Sequence, residues 1–326
     1  MLSKILLGVG IFAAIFAVLI FSGKVPGVGT TASAPQGEVV LWGTFPDTLM
    51  NPIIQDFNPK AKTYRVTYVE VPEENFNRML TEALANGKGP DLILAPYQTI
   101  LAQSSRISIY PVAQFGEKQF KDAYIDGAAD VFWTPYGALA FPISVEPMVL
   151  FFNRTLLSKH GIVNPPQYWD EVAATTLKTT VLNSRMQFLE SGIALGAPNT
   201  PYAKDIIMTI VAQLGQVPVL KQYDETGRVD MTVTANQPVT QGGDVYPLFE
   251  TIRYFTQFAE KKKKTYSWNQ FIDTADNQFV AEKLAMYIGY SGELASLKAR
   301  NPRAQIDMAI FPQTKEYRSF VTGMRM

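Results

Sequence analysis

The order of patterns between Val39 and Leu94 narrows the fold more than any other feature. Val39-Val-Leu-Trp42 is a short buried-strand pattern, and Gly43-Thr44-Phe45-Pro46 is the turn after it. Leu49–Phe57 spaces Ile53, Ile54 and Phe57 as a helix does, and Tyr64–Val71 alternates as a strand. Glu73-Glu74 opens a second helix, with acids at its positive end. Phe76, Met79, Leu80, Ala83 and Leu84 form its inner face, and Gly87 ends it. Asp91-Leu-Ile-Leu94 is a third strand, closed by Pro96. A β-α-β-α-β order implies a parallel, twisted sheet covered by helices. Ligands of such sheets sit beyond the carboxyl ends of the strands. That rule selects Thr44 and Phe45 after the first strand and Tyr97, Gln98 and Thr99 after the third. Pro96 suits a plain turn equally well.

A second constraint lies in Tyr136–Asn153, two extended apolar segments broken at Pro142 and Pro147. Proline cannot donate to a sheet ladder, so each marks an edge or a break. Ser144-Val-Glu146 is the polar insert at the break. The pattern fits a hairpin with Glu146 on its wet side, and it fits a passage from one lobe to another. After Asn153 the pattern is mostly helical. Thr155–His160 is a short helix closed by Gly161; Ala203–Leu214, Tyr246–Lys261, Asp276–Ala281 and Gly292–Asn301 have helical periodicity. Leu284–Ile288 and Ile306–Ile310 are buried-strand patterns. Lys261–Lys264 reads as a solvated helix end, where cations meet the negative dipole, ahead of a membrane or nucleic-acid patch.

The chain has 326 residues, room for two domains, and equal numbers of cations and acids, 29 each. That balance gives no sign of a nucleic-acid partner. There is no cysteine, so no disulfide, thiolate metal site or lipid-anchoring cysteine is expected, and the single histidine, His160, excludes multi-histidine metal sites. No metal and no cofactor is expected. Lys4 precedes Ile5–Phe21, an uncharged run at the lower limit for a spanning helix. Ala32-Ser33-Ala34 resembles a cleavage site but lies far beyond that run and is followed by Pro35. The expectation is residues 1–22 as a retained membrane anchor, rather than a cleaved signal, and 23–37 as a flexible tether. The body then stands on the extracytoplasmic face of the cell membrane.

Several stretches together resemble one family, the extracellular solute-binding proteins of ABC importers typified by maltose-binding protein. Gly89-Pro-Asp-Leu-Ile-Leu94 is similar to its early strand-and-loop signature. Phe141-Pro-Ile-Ser-Val-Glu146, continuing into Phe151-Phe-Asn-Arg-Thr-Leu156, is similar to its first lobe crossing. Gly161-Ile-Val-Asn-Pro-Pro-Gln-Tyr-Trp-Asp-Glu171 resembles a further family segment, with Tyr168 in place of the usual threonine. Phe279-Val-Ala-Glu-Lys-Leu-Ala-Met286 resembles the stretch before the return crossing. The likeness covers about Glu38 to the end.

The resemblance implies an α/β, two-lobe periplasmic-binding-protein fold of type II with a hinge of crossing strands. Residues 38–144 and 287–326 would form the first lobe, and 145–286 a second, helix-rich lobe. It implies capture of a small solute, most commonly a sugar, delivery to ABC permease subunits, and no catalysis. It makes the central stretch a lobe crossing and Glu146 an acceptor in the cleft, with a structural carboxylate that caps neighbouring backbone as the alternative for Glu146. Asn199 follows Leu195-Gly-Ala-Pro as a cleft-facing loop residue, and Tyr290 and Ser291 follow the returning strand. Trp268 is a candidate stacking ring, with packing under a helix as its alternative. Trp42 and Trp169 are assigned to the core. Two other functions are compatible with the residues: an anchored sensor or adhesin ectodomain on the same fold, and, more distantly, a glycoside hydrolase. The chain stops soon after Phe320-Val321 begin another strand pattern. The expectation is a missing C-terminal part and a less stable second lobe.

Overall fold

The computed structural model describes residues 37–217, 219–224, 229–239, 245–315 and 321–326. The anchor and almost all of the tether lie outside the described residues. Among those residues, no helix is long and apolar enough to cross a membrane. The chain divides into two compact units, Met1–Thr99 and Ile100–Met326.

In the first unit, β1 (Gly37–Gly43), α1 (Asp47–Phe57), β2 (Tyr64–Glu70), α2 (Glu73–Ala85) and β3 (Leu92–Leu94) follow the expected order. β1 is central and pairs in parallel with both β2 and β3, as the alternation of patterns requires. Phe76 and Leu80 of α2 bury themselves with Val71 against Trp42 and Ile93. Gly43 ends β1 because the Tyr68 hydroxyl lies 2.6 Å from where a Cβ would stand. That hydroxyl donates to the Phe45 carbonyl oxygen at 2.7 Å, closing the turn. The short helix α3 (Tyr97–Ala102) follows β3.

The second unit opens with a small sheet. β4 (Tyr110–Pro111) and β5 (Trp133–Thr134) flank β6 (Gly137–Ala138). α4 (Glu117–Ala123) and α5 (Ala128–Phe132) lie between these strands in sequence. Phe120 is central to an aromatic cluster, with Tyr124 4.7 Å and Trp133 5.5 Å from its ring.

The main sheet forms around β7 (Glu146–Asn153). After it come α6 (Arg154–Lys159), α7 (Trp169–Thr179), β8 (Val181–Leu182), β9 (Phe188–Ile193) and α8 (Ala203–Gln213). A hairpin of β10 (Val219–Tyr223) and β11 (Val229–Val233) and the helix α9 (Pro247–Thr256) precede α10 (Ala275–Val280). β12 (Leu284–Tyr290), α11 (Glu293–Arg300), β13 (Ile306–Ile310) and β14 (Met324–Arg325) complete the unit. The sheet order is β13-β7-β12-β9-β8, with β14 pairing the start of β7. β12 runs parallel to β9 and antiparallel to β7.

Both faces of this sheet are covered, which explains the near-continuous apolar runs. Alternate residues of β7 serve opposite faces, as the two-residue period of a strand dictates. Met148, Leu150 and Phe152 enter one core with Trp169, Ile206, Ile210 and Phe255. Val149 and Phe151 enter the other with Trp268, Phe279 and Tyr287.

Two local expectations are corrected. Pro147 does not break the chain: it takes the second position of β7, near a strand start where proline is tolerated. β12 and β13 pair on either side of β7, so the helices that follow Glu146 are packed on this sheet. The helix expected to reach Lys261 stops at Thr256, followed by the 3₁₀ turn Gln257–Ala259. Lys261–Lys264 lie in turns beyond it rather than in its last turn.

Candidate functional site

The carboxyl ends of the parallel strands β9 and β12 share one edge of the main sheet, and β7 starts there because it runs the other way. Ligand groups of an open α/β sheet collect at such an edge. Three segments meet here: the loop from Ala194 into α8, the turn Tyr290–Gly292, and Glu146.

Tyr202, the residue before α8, has φ +53°. A bulky residue in the left-handed region is an outlier that its surroundings must hold in place. The Tyr290 ring packs edge-on against the Tyr202 ring, centroids 4.9 Å apart. The Tyr290 hydroxyl donates to Asp205 Oδ2 at 3.0 Å, tying β12 to the first turn of α8. The half-buried Tyr202 ring is thus fixed on a buried support, with Asp205 beside it.

The turn after β12 is pinned from both sides. Glu293 Oε1 accepts from the Tyr290 backbone N–H at 2.7 Å, and its other oxygen accepts from the Tyr287 hydroxyl. Burial pushes the Tyr287 hydroxyl far above an ordinary phenol, and the Glu293 carboxylate adds to the shift, so Tyr287 remains a donor. The Ser291 N–H donates to the Pro147 carbonyl oxygen at 3.0 Å. Glu146 lays its carboxylate over Gly292: a Cβ at that position would stand 2.5 Å from Glu146 Oε1. β14 pairs Arg325 with Glu146 along the backbone, and the Met148 N–H donates to the Gly323 carbonyl oxygen at 2.7 Å. The start of β7, and with it Glu146, is held on both edges.

The structure therefore gathers Glu146, Tyr290 and Ser291 of the expected residues at one edge. Tyr290 is buried and supports the site instead of facing a ligand. Asn199 is half-buried and hydrogen-bonded to Trp268. The Trp268 side chain is fully buried, and its indole N–H donates to Asn199 Oδ1 at 3.1 Å. The Asn199 amide donates to the Ile272 carbonyl oxygen at 3.2 Å, so both ends of that side chain fasten the loop to the core. The Trp268 ring packs inside the core of the larger unit. In the first unit Thr44 follows β1, its N–H donating to the Leu94 carbonyl oxygen at 3.2 Å, and Phe45 is exposed. Tyr97, Gln98 and Thr99 form the first turn of α3; Gln98 is exposed and Thr99 buried. Both groups stand at the carboxyl edge of the smaller sheet.

Tyr202 and Asp205 escaped the sequence reading. The Pro201-Tyr202 pair after Asn199 was the available signal, but nothing in an aromatic residue announces a positive φ. A separate cleft of about 480 Å³ lies among Trp169, Ile210, Leu214, Thr251, Tyr254 and Lys263, sharing no residue with the edge.

The chain matches the bacterial extracellular solute-binding protein family over residues 42–321. It belongs to that family. Binding proteins from Brucella abortus and Brucella suis are 22% identical over 155 residues, which is 46% of this chain and 38% of theirs. The alignment thus spans well under half of the curated relatives. Among solved structures, this solute-binding protein is similar to a cyclic α-maltosyl-1,6-maltose binding protein from Arthrobacter globiformis. That pair has TM-score 0.64 and 15% identity, covering 88% of this chain and 69% of the other. A Mycobacterium tuberculosis protein in complex with glycerophosphocholine gives TM-score 0.64 and 15% identity over 89% and 70%. A maltose/maltodextrin-binding domain from Bdellovibrio bacteriovorus bound to maltotriose gives 0.57 and 14% over 89% and 71%. The fold is thus the α/β architecture of the two-lobe periplasmic binding proteins, as the resemblance implied.

Proposed function

We propose that this solute-binding protein captures a sugar or oligosaccharide at the carboxyl edge of its larger sheet and delivers it to an ABC-type permease outside the cytoplasm. The observation that carries the reading is the aromatic ring of Tyr202, held at φ +53° on the Tyr290–Asp205 support next to the pinned Tyr290–Gly292 turn. A sugar offers flat C–H faces and many hydroxyls, and it is recognised by aromatic rings and carboxylates. Tyr202 supplies the ring, and Glu146 and Asp205 supply acceptors. Of the three structural neighbours named above, one is named for binding a cyclic maltose saccharide, one is bound to maltotriose, and the third is in complex with glycerophosphocholine, also a hydroxylated solute. Ile5–Phe21 would hold the body at the membrane as a retained anchor.

A thermal-shift screen across sugars, amino acids and polyamines tests the reading, because a ligand that binds only the native state raises its apparent stability. The expected result is stabilisation by saccharides that falls when Tyr202 becomes alanine. Stabilisation by amino acids or polyamines alone would overturn the sugar assignment. Release of new reducing ends from a glycan panel would favour the hydrolase reading instead.

A further inference from the structure

The loop between the 3₁₀ turn at Gln257–Ala259 and α10 has a buried root and two exposed arms. Thr265, Tyr266, Ser267 and Trp268 are buried. The N–H groups of Ser267 and Trp268 both donate to the Phe258 carbonyl oxygen, at 2.8 and 3.1 Å, and Ser267 Oγ donates to the Ile193 carbonyl oxygen at 2.7 Å. On one side of this root stand Lys261, Lys262, Lys263 and Lys264, all exposed, in a turn closed by the Lys263 N–H to the Glu260 carbonyl oxygen at 2.9 Å. Among the described residues, none of the four makes an ion pair, whereas nine other lysine and arginine side chains do so. On the other side Phe271 is 86% exposed, its N–H held by Asn269 Oδ1 at 2.9 Å. A hydrogen bond thus holds its backbone while its ring stands exposed.

We infer that this loop is a contact for an anionic bilayer surface, the lysines meeting phospholipid headgroups and the Phe271 ring entering the boundary beneath them. Lysine is a mobile point charge without the fork that fixes geometry, and it is depleted in protein interfaces. A run of four therefore suits a diffuse sheet of negative charge better than a shaped protein epitope. An exposed aromatic beside cations is what an interfacial segment requires. The rigid root keeps both arms presented without an entropy cost at the moment of contact. This inference does not depend on which solute the protein binds.

The chain contains no cysteine, so Gln270→Cys gives one labelling position, exposed and next to Phe271. The full chain carrying an environment-sensitive NBD label there is reconstituted in vesicles of phosphatidylcholine alone or mixed with phosphatidylglycerol. The expected result is a blue-shifted, brighter label only on the anionic vesicles, reversed by raising salt from about 0.05 to 0.5 M. Each Lys→Gln change in the run should weaken the contact roughly five-fold, and Lys261–Lys264→Gln together should abolish it. Phe271→Ser should leave the salt dependence but remove the blue shift. An unchanged label on anionic vesicles, an equal response on neutral ones, or a response surviving the four glutamines would overturn the inference. Circular dichroism of each variant establishes that it is folded.

Discussion

The first unit of this solute-binding protein is built on an all-parallel sheet and the second on a mixed one, and the two differ in how much they bury. In Gly37–Thr99 the buried apolar side chains among the described residues are Met50, Val71, Phe76 and Leu80. Its helix α1 leaves Leu49 and Ile53 more than half exposed, one turn apart on a single face. In Ile100–Met326 a sheet covered on both faces feeds two cores. Hydrophobic burial is the main favourable term in folding, so the larger unit should be the more stable. A functional edge can carry a strained residue such as Tyr202 only where the surroundings over-determine it. The larger unit has that surplus.

The largest expected effect tests this contrast directly. Phe151 is fully buried and stacked on Tyr287, centroids 5.2 Å apart, so Phe151→Ala should cost about 3–5 kcal/mol in urea unfolding. Ile53→Ala, on the open face of α1, should stay within about 0.5 kcal/mol. Similar losses in both variants would break the comparison.

At the edge, Glu146→Gln should leave the unfolding midpoint in place and weaken solute binding by about 1.5–3 kcal/mol, the range for a hydrogen bond to a charged group. Calorimetry that finds equal affinity would remove Glu146 from the site. A finer test sharpens the claim that Tyr202 is strained. Tyr202→Gly and Tyr202→Ala both delete the ring, but only alanine still pays for the left-handed backbone. The glycine variant should therefore be the more stable of the two by about 1–2 kcal/mol, although both lose affinity. Equal stabilities would mean that the backbone relaxes without cost.

The smallest effect is on the acid side of the stability curve. Glu190 faces Lys159 and lies 2.8 Å from His160 Nε2. Burial alone would raise its carboxyl, but the hydrogen bonds and charges of Lys159 and His160 outweigh burial and hold it below the ordinary value. A depressed carboxylate stabilises the fold fully above the unfolded value, about pH 4.3, and that contribution is lost as pH falls through the lowered one. Glu190→Gln should cost no more than about 1 kcal/mol near neutrality, with the difference from wild type vanishing in acid. A difference that persists below pH 3 would assign the loss to packing.

Much of this was readable in the residues, for identifiable reasons. Parallel strands announce themselves by alternating with helices, and β1, β2 and β3 emerged in order. Glu146 stood out as a candidate because a polar insert interrupts buried-strand patterns. What was hidden depends on distant partners. Trp268 could be read as a stacking ring or as packing because its sequence does not show that Asn199 accepts its indole proton. The sheet membership of β12 and β13 depends on pairing with β7 across more than a hundred residues, which local pattern cannot encode. Tyr202 was hidden because its conformation is imposed by Tyr290 and α8, not chosen by its own side chain.

Hydrogen exchange across the whole chain, with and without a saturating saccharide from the stability screen, tests the central claim most directly. The account predicts slowed exchange in residues 199–205 and 290–293 and around Glu146. Saturated protein that is unchanged there, with protection confined instead to the cleft between Trp169 and Tyr254, would contradict it.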